Sequence, residues 1–523
     1  MTTTNEPRKD QHGSAAIYPF RVLIRGVLAK YVSIASWIGC SLVLTPLLLR
    51  YLGTEVYGLY AALGSIGAYL YVLDLGTGLA IPKYVAEYRV RGNFLDLNKL
   101  VSSFFYAFVG IGILLVVGAF AFIPYVPEIF KTSPSLVHVV QIVFVLTVAN
   151  FLVLLPFGVL EGVLYGFQKV HINYWLDTLF YLCNLAAAYL AVKLGYGLVV
   201  VTAGTMVARL VVSLLLARLA WAECPSVRLH LRDVEAGILK KLAAPSFYYF
   251  VIQVATLLIF SSDNVVISSF LGVTAVTAYS VAFKLCRLPL GLISSLATVL
   301  LPHISELDTA SDFSRLRKLH IQLSKYSVFI SFVVFTCLAA FGRDFIDVWA
   351  GPKNFAGMPV LICFCLIWPF NTVVQSSSTI LMGTARHVKL AVVLVAEGVL
   401  NVVLSILLLH YYGLLGVALG TLLAKLMVSS WFAPWYACRV LKQNFWDYAR
   451  GVSPVLFPLL PGVAMAMLMA RLDVPFVPKM LAGSLAITLT FIVFFYWVSI
   501  GEEERVYLRE RVATLVHRHR AIA

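Results

Sequence analysis

Four basic side chains stand deep inside apolar sequence. Arg209 lies in "GYGLVVVTAGTMVARLVVS" (195–213), Lys425 in "YYGLLGVALGTLLAKLMVS" (411–429), and Lys284 and Arg287 in "AYSVAFKLCRLPLG" (278–291). Each is about ten or more residues from the end of its run, which at 1.5 Å per residue is about 15 Å deep. A charge at the centre of a bilayer costs about 2.5–3.5 kcal/mol on insertion scales, so these residues are expected to face a bundle interior or a wet cavity. Lys284 and Arg287 are spaced i, i+3 and share a helix face. Deep acidic residues are fewer: Asp263 and Glu397 lie well inside their runs, whereas Asp74, Glu161 and Asp177 lie nearer the ends.

Two chemistries fit this set. The cations can pair with Asp263 and Glu397 as ion pairs that set the fold. Alternatively, the deep charges sum to about +2, and a positive interior favours an anionic cargo, with Arg forking onto phosphate and Lys acting as a point charge. In that reading Asp263 and Glu397 tune the cations or carry a coupling ion, H+ or Na+. No cofactor and no metal are expected: the eight cysteines are scattered, there is no CxxC or HExxH, and His517 and His519 in the tail read as interfacial.

The elements that carry these residues are long and apolar. The chain has 523 residues, 61% of them hydrophobic and 12% charged, with mean hydropathy +0.90. Stretches long enough to span a bilayer follow one another at 26–49, 57–80, 101–123, 138–165, 171–193, 197–220, 243–271, 274–302, 322–347, 358–383, 388–411, 414–438, 453–472 and 479–499, about fourteen in all. They lack the period-two alternation of membrane strands. An all-α polytopic membrane protein is expected, with no cleaved signal.

The net charge of +15 reads as topology rather than as a nucleic-acid footprint. With the N-terminus inside, the inner joints carry roughly 29 Lys and Arg and the outer joints roughly 7, the asymmetry that orients membrane proteins. Every second joint is rich, so the helix count is even. Both termini are expected on the cytoplasmic side.

The opening pair belongs to an internal repeat. Gly197, Gly204, Thr205, Ala208, Leu210 and Ser213 match Gly413, Gly420, Thr421, Ala424, Leu426 and Ser429 at one constant offset, and Arg209 meets Lys425. Upstream, Gly166, Lys169 and Asn184 match Gly383, Arg386 and Asn401, and "RYLGTEVYGLY" resembles "SFLGVTAVTAY". A six-helix unit duplicated in parallel gives two lobes, the arrangement of two-lobe transporters. The expected organisation is a polar cytoplasmic tail at 1–25, an N-lobe at 26–220, a hinge-like linker at 221–242, a C-lobe at 243–440, a helix pair at 441–500 and an amphipathic cytoplasmic tail at 501–523. GxxxG spacings at Gly158, Gly162 and Gly166 and at Gly416 and Gly420 are expected to let helices approach closely within a lobe.

The run "RYLGTEVYGLYAALGSIGAYLYVLDLGTGLAIPKYVAEYRVRGN" resembles the opening helices of the polysaccharide transporter family, and "SSDNVVISSFLG" and "VLYGFQKVHIN" resemble its later blocks. The similarity is to Wzx-type flippases within the multidrug/oligosaccharidyl-lipid/polysaccharide exporter superfamily. It implies a flippase that moves undecaprenyl-pyrophosphate-linked oligosaccharide to the outer leaflet by alternating access, with Arg209, Lys284, Arg287 and Lys425 on the anionic headgroup. It also leaves room for glycan-assembly proteins to dock, although anchoring explains the tail more simply. A flippase for lipid II, the peptidoglycan precursor, uses similar chemistry and stays open. A cation-coupled drug exporter would want acidic residues in the first helix, and 31–49 holds none. An enzyme, such as a glycan polymerase, would want a larger outer joint than "FGRDFIDVWAGPKNFAGMP".

Overall fold

The computed structural model describes residues 20–74, 77–502 and 505. The N-terminal tail up to residue 19 and nearly all of the amphipathic tail lie outside the described residues. Every regular element among the described residues is helical, and thirteen helices are long and apolar enough to cross a membrane. We number the membrane helices α1 (Arg25–Leu52), α2 (Thr54–Asp74, continued by Thr77–Val90), α3 (Phe94–Ile129), α4 (Pro134–Gly166), α5 (Val170–Lys193), α6 (Leu198–Glu223), α7 (Ala236–Phe260 and Ser262–Leu271), α8 (Val273–Arg287 and Leu290–Thr309), α9 (Phe313–Trp349), α10 (Met358–Gly383), α11 (Val388–Tyr412), α12 (Leu414–Val440), α13 (Phe445–Ala470) and α14 (Phe476–Ser499).

The span expected at 274–302 is present as the two shorter helices of α8. Pro289 stands at their junction, where it has no N–H to give to the preceding turn. The α2 helix is also interrupted, by a 3-10 turn at Tyr71–Asp74. The joints at one end of the bundle carry most of the Lys and Arg; we call this the basic end and the other the far end.

Packing follows the duplication. The α1 helix packs on α5 as α7 packs on α11, α3 on α4 as α9 on α10, and α5 on α6 as α11 on α12. Even the caps correspond: the Asn93 side chain accepts from Asp96 N at 3.2 Å to start α3, and Asp312 accepts from Arg315 N at 3.1 Å to start α9, each satisfying an orphan amide of the first turn. Gly420 lets α12 lie against Ser405 of α11, where a Cβ would meet backbone at 2.6 Å.

The lobes meet mainly through α2 and α8. At the far end one buried apolar cluster runs across both, joining Leu48, Leu59 and Ala62 to Ile267, Val273 and Val276. At its centre a Cβ on Gly58 would stand 1.9 Å from the Val273 carbonyl oxygen, and the Thr277 hydroxyl donates to Thr54 O at 2.6 Å. Trp349 Nε1 adds a bond to Leu42 O at 2.7 Å. Toward the basic end the apolar clusters among the described residues are confined to single lobes, apart from Ile238 at the start of α7, which packs on the N-lobe cluster. The linker does not hang free: Arg228 N donates to Asn98, His230 N to the Ser102 hydroxyl and Glu235 N to the Ser103 hydroxyl, so residues 228–235 are fastened along α3. The α13 and α14 helices pack on α9.

Candidate functional site

Between the lobes lies a cavity of about 550 Å³. Its walls come from α1, α2, α4, α5 and α6 on one side and from α7 and α8 on the other. It reaches from Tyr57, one turn inside the far end, to Ala68 and Leu288 near mid-helix. Lys284 and Arg287 are the charged residues that line it.

Their placement follows from the break in α8. The first half of the helix ends at Arg287, so both cations sit in its last turn, where the backbone carbonyls favour positive charge. Lys284 Nζ donates to Thr45 Oγ1 of α1 at 2.8 Å, which ties the lobes together. The Arg287 guanidinium lies 6.0 Å from the Phe283 ring centroid. Among the described residues no carboxylate forms an ion pair with either cation. The rest of the lining is neutral: amides of Asn150, Asn184 and Asn264, hydroxyls of Ser and Thr, and the rings of Trp37, Tyr60, Phe180, Tyr181 and Phe283.

Arg209 and Lys425 do not line the cavity. Lys425 is 1% exposed and its Nζ lies 2.8 Å from Oε1 of Glu397, which is 0% exposed. That pair holds α12 to α11, with the ring of Phe260 5.6 Å away. Arg209, at the repeat-equivalent position, makes no ion pair among the described residues. Its guanidinium instead stacks 3.6 Å from the centroid of the Phe180 ring, and the same ring lines the cavity. Counting along the repeat, Phe180 occupies the position that Glu397 holds in the second copy. The carboxylates whose fields reach Arg209 are Glu161 and Asp177, not Asp263 or Glu397. Its Nε is buried with no hydrogen-bond partner.

Asp263, 2% exposed, is paired with no cation among the described residues. It accepts from the Tyr279 hydroxyl and from Thr421 Oγ1 at 3.1 Å on one oxygen, while its Oδ1 is buried without a partner. The Thr421 hydroxyl, with one proton to share, also lies 3.2 Å from Asn401 Oδ1, as its counterpart Thr205 donates to Asn184 Oδ1 at 2.7 Å. The repeat therefore preserves a Thr–Asn bond between the last two helices of each lobe. Sequence reasoning used Asn184 only to align the copies and did not single out Asn150; an amide at the middle of an apolar span was the available signal. Among the described residues no three His, Cys, Asp or Glu converge as metal ligands.

The profile of the family described as polysaccharide biosynthesis protein matches residues 23–308, more than half of the chain. The chain belongs to that family. Among solved structures it is similar to the lipid II flippase MurJ in an inward closed conformation, with TM-score 0.72, 16% identity, and 94% of this chain and 100% of that chain covered. A multidrug resistance MATE family transporter of the MOP superfamily, inward-facing, aligns with TM-score 0.60 at 15% identity over 79% of this chain and 94% of its own. A MOP superfamily transporter from Pyrococcus furiosus, noted for the reverse polarity of its binding pocket, aligns with TM-score 0.57 at 14% identity over 81% of this chain and 96% of its own. At these identities the likeness is one of fold. No curated protein matches the sequence. The family member described here is thus a multi-pass membrane protein with the MurJ/MATE fold.

Proposed function

We propose that the protein is a flippase for an anionic lipid-linked glycan, an undecaprenyl-pyrophosphate-linked oligosaccharide, moved from the cytoplasmic to the outer leaflet of a bacterial inner membrane by alternating access. The observation that carries this reading is an inter-lobe cavity whose charged lining is Lys284 and Arg287, with no carboxylate among the described residues paired to either. A pyrophosphate there replaces water with a guanidinium fork and an ammonium, while the lipid tail stays in the bilayer. The lobes share a core at the far end, and toward the basic end the first half of α7 touches α2 and α3 of the N-lobe; two lobes linked in this way can rock about such a site. Arg209 and Lys425 serve the packing of α5–α6 and α11–α12. Asp263, with one unpartnered oxygen, is the group through which a proton or Na+ couples.

Leaflet-resolved transport of a lipid-pyrophosphate sugar in vesicles containing this protein tests the reading. We expect Lys284→Gln together with Arg287→Gln to lower transport at least tenfold in a chain that folds as wild type; unchanged transport would remove the cavity assignment. Lipid II is the second cargo to try, since the MurJ structure matches over its full length, and rescue of a strain without its own lipid II flippase distinguishes the two. A drug or cation exporter fits less well, because the lining has cations and no carboxylate.

A further inference from the structure

The cavity is chemically two-sided, and this deepens the flippase reading on which it rests. Both cations stand on α8. Across from them α1, α4 and α5 present Trp37, Asn150, Tyr181 and Asn184. Much of the hydroxyl capacity in that wall is spent locally: Thr147 donates to Val143 O at 2.7 Å, Thr202 to Leu198 O at 3.0 Å, and Thr205 to Asn184 Oδ1 at 2.7 Å. Among the described residues neither Asn184 nor Asn150 donates a side-chain hydrogen bond, and both line the cavity. Buried polar groups in folded proteins are nearly always satisfied, so amide N–H groups on a cavity wall are open to whatever fills the cavity.

We propose that this wall is a subsite for uncharged sugar, bearing hydroxyl or acetamido groups, next to the pyrophosphate held by Lys284 and Arg287. Sugar hydroxyls and acetamides carry acceptor oxygens and apolar ring faces, which match a wall offering amide N–H groups and the faces of Trp37 and Tyr181. A uronic acid at the same place brings a second negative charge to a wall with no cation, while both cations are engaged by the diphosphate; a buried unpaired charge is strongly disfavoured. Pockets of about 300–1,000 Å³ enclose a drug-sized ligand, so this one takes the pyrophosphate and roughly the first one or two sugars. The rest of the glycan is not selected here.

The test compares three probes in vesicles containing the full chain: polyprenyl pyrophosphate alone, the same lipid carrying one N-acetylated hexosamine, and the same lipid carrying one hexuronic acid. We expect the wild type to move the neutral sugar lipid about tenfold or more faster than the acidic one. Asn150→Leu keeps the side chain's bulk and breaks no side-chain hydrogen bond among the described residues, so folding is expected to be retained, as a melting curve will show. It should slow the neutral sugar lipid about five- to tenfold, the effect of one buried hydrogen bond, and leave bare polyprenyl pyrophosphate unchanged. If the wild type moves all three probes at one rate, or Asn150→Leu slows all three alike, the subsite is wrong while the flippase reading stands. If the wild type moves none of them, the flippase reading itself falls.

Discussion

Removing the carboxylate beside Lys425 gives the sharpest test of what a deep cation is for. Lys425 and Glu397 are 2.8 Å apart and almost completely buried, so Glu397→Gln leaves an ammonium in a place that water cannot reach. Breaking a buried pair in this way costs about 3–5 kcal/mol. The exposed pair Arg91–Glu87, at a similar 2.9 Å, is worth at most about 0.5 kcal/mol, so Glu87→Gln is the internal control. With about 2.1 cal/mol/K of unfolding entropy per residue, the 523-residue chain has about 1.1 kcal/mol/K. The buried break then lowers Tm by about 3–5 °C, and the control by less than about 0.5 °C. Replacing both partners, Glu397→Leu with Lys425→Met, should restore most of the loss, since apolar groups of similar size often substitute for a buried pair without net cost. Tryptophan fluorescence melts in detergent read the stability, and vesicle transport reads the function. The pairing argument fails if Lys425→Met alone melts like the wild type. It fails equally if the double variant regains its Tm and still cannot move lipid, because Lys425 would then be touching cargo.

Three further outcomes follow from other contacts. Gly58→Ala places a Cβ 1.9 Å from the Val273 carbonyl oxygen at the far end and should lower the melting temperature as the lobes are forced apart there; an unchanged melt would show that this close approach does not hold the lobes together. Phe180→Leu removes the ring beneath Arg209 and should cost about 1–2 kcal/mol as the desolvated cation–π contact is lost, seen as a lower melting temperature; an unchanged melt would mean that the ring does not hold the charge. Ser103→Ala leaves the Glu235 amide, bonded at 2.8 Å, without its side-chain partner, at about 1–3 kcal/mol locally. Faster hydrogen exchange in residues 228–235 is the expected sign, and unaltered exchange would mean that the linker is held by something else.

How far the sequence could be read depended on the kind of information each residue carried. Helix-length apolar runs and alternating basic joints survive in one dimension, so the spans and the equivalence of the two halves were legible. The repeat even aligned Arg209 with Lys425. What it could not supply was the partner, because a cation buried against a ring and one buried against a carboxylate look alike from their own helix. The difference lies 28 or 29 residues away, on the neighbouring helix, in Phe180 against Glu397. Lys284 and Arg287 were correctly grouped because i, i+3 spacing fixes a shared face. Asn150 escaped notice because a lone amide carries no charge to mark it. The break in α8 was foreshadowed by Pro289, but its consequence, two cations in the last turn before the junction, needed the fold.

The shared core at the far end has an electrical consequence. A cavity between the lobes thins the part of the bilayer that insulates, so part of an applied potential of 100 mV, worth about 2.3 kcal/mol per unit charge, falls across the plug that closes it at the far end. That plug is the dry layer around Gly58, Val273 and Val276, where the helices touch backbone to backbone. The crossing therefore acts as a dielectric as well as a joint. A side chain that wedges it apart without opening a path for lipid would turn a carrier into a leak, and the cell would register the loss as dissipated ion gradients before it registered any missing glycan.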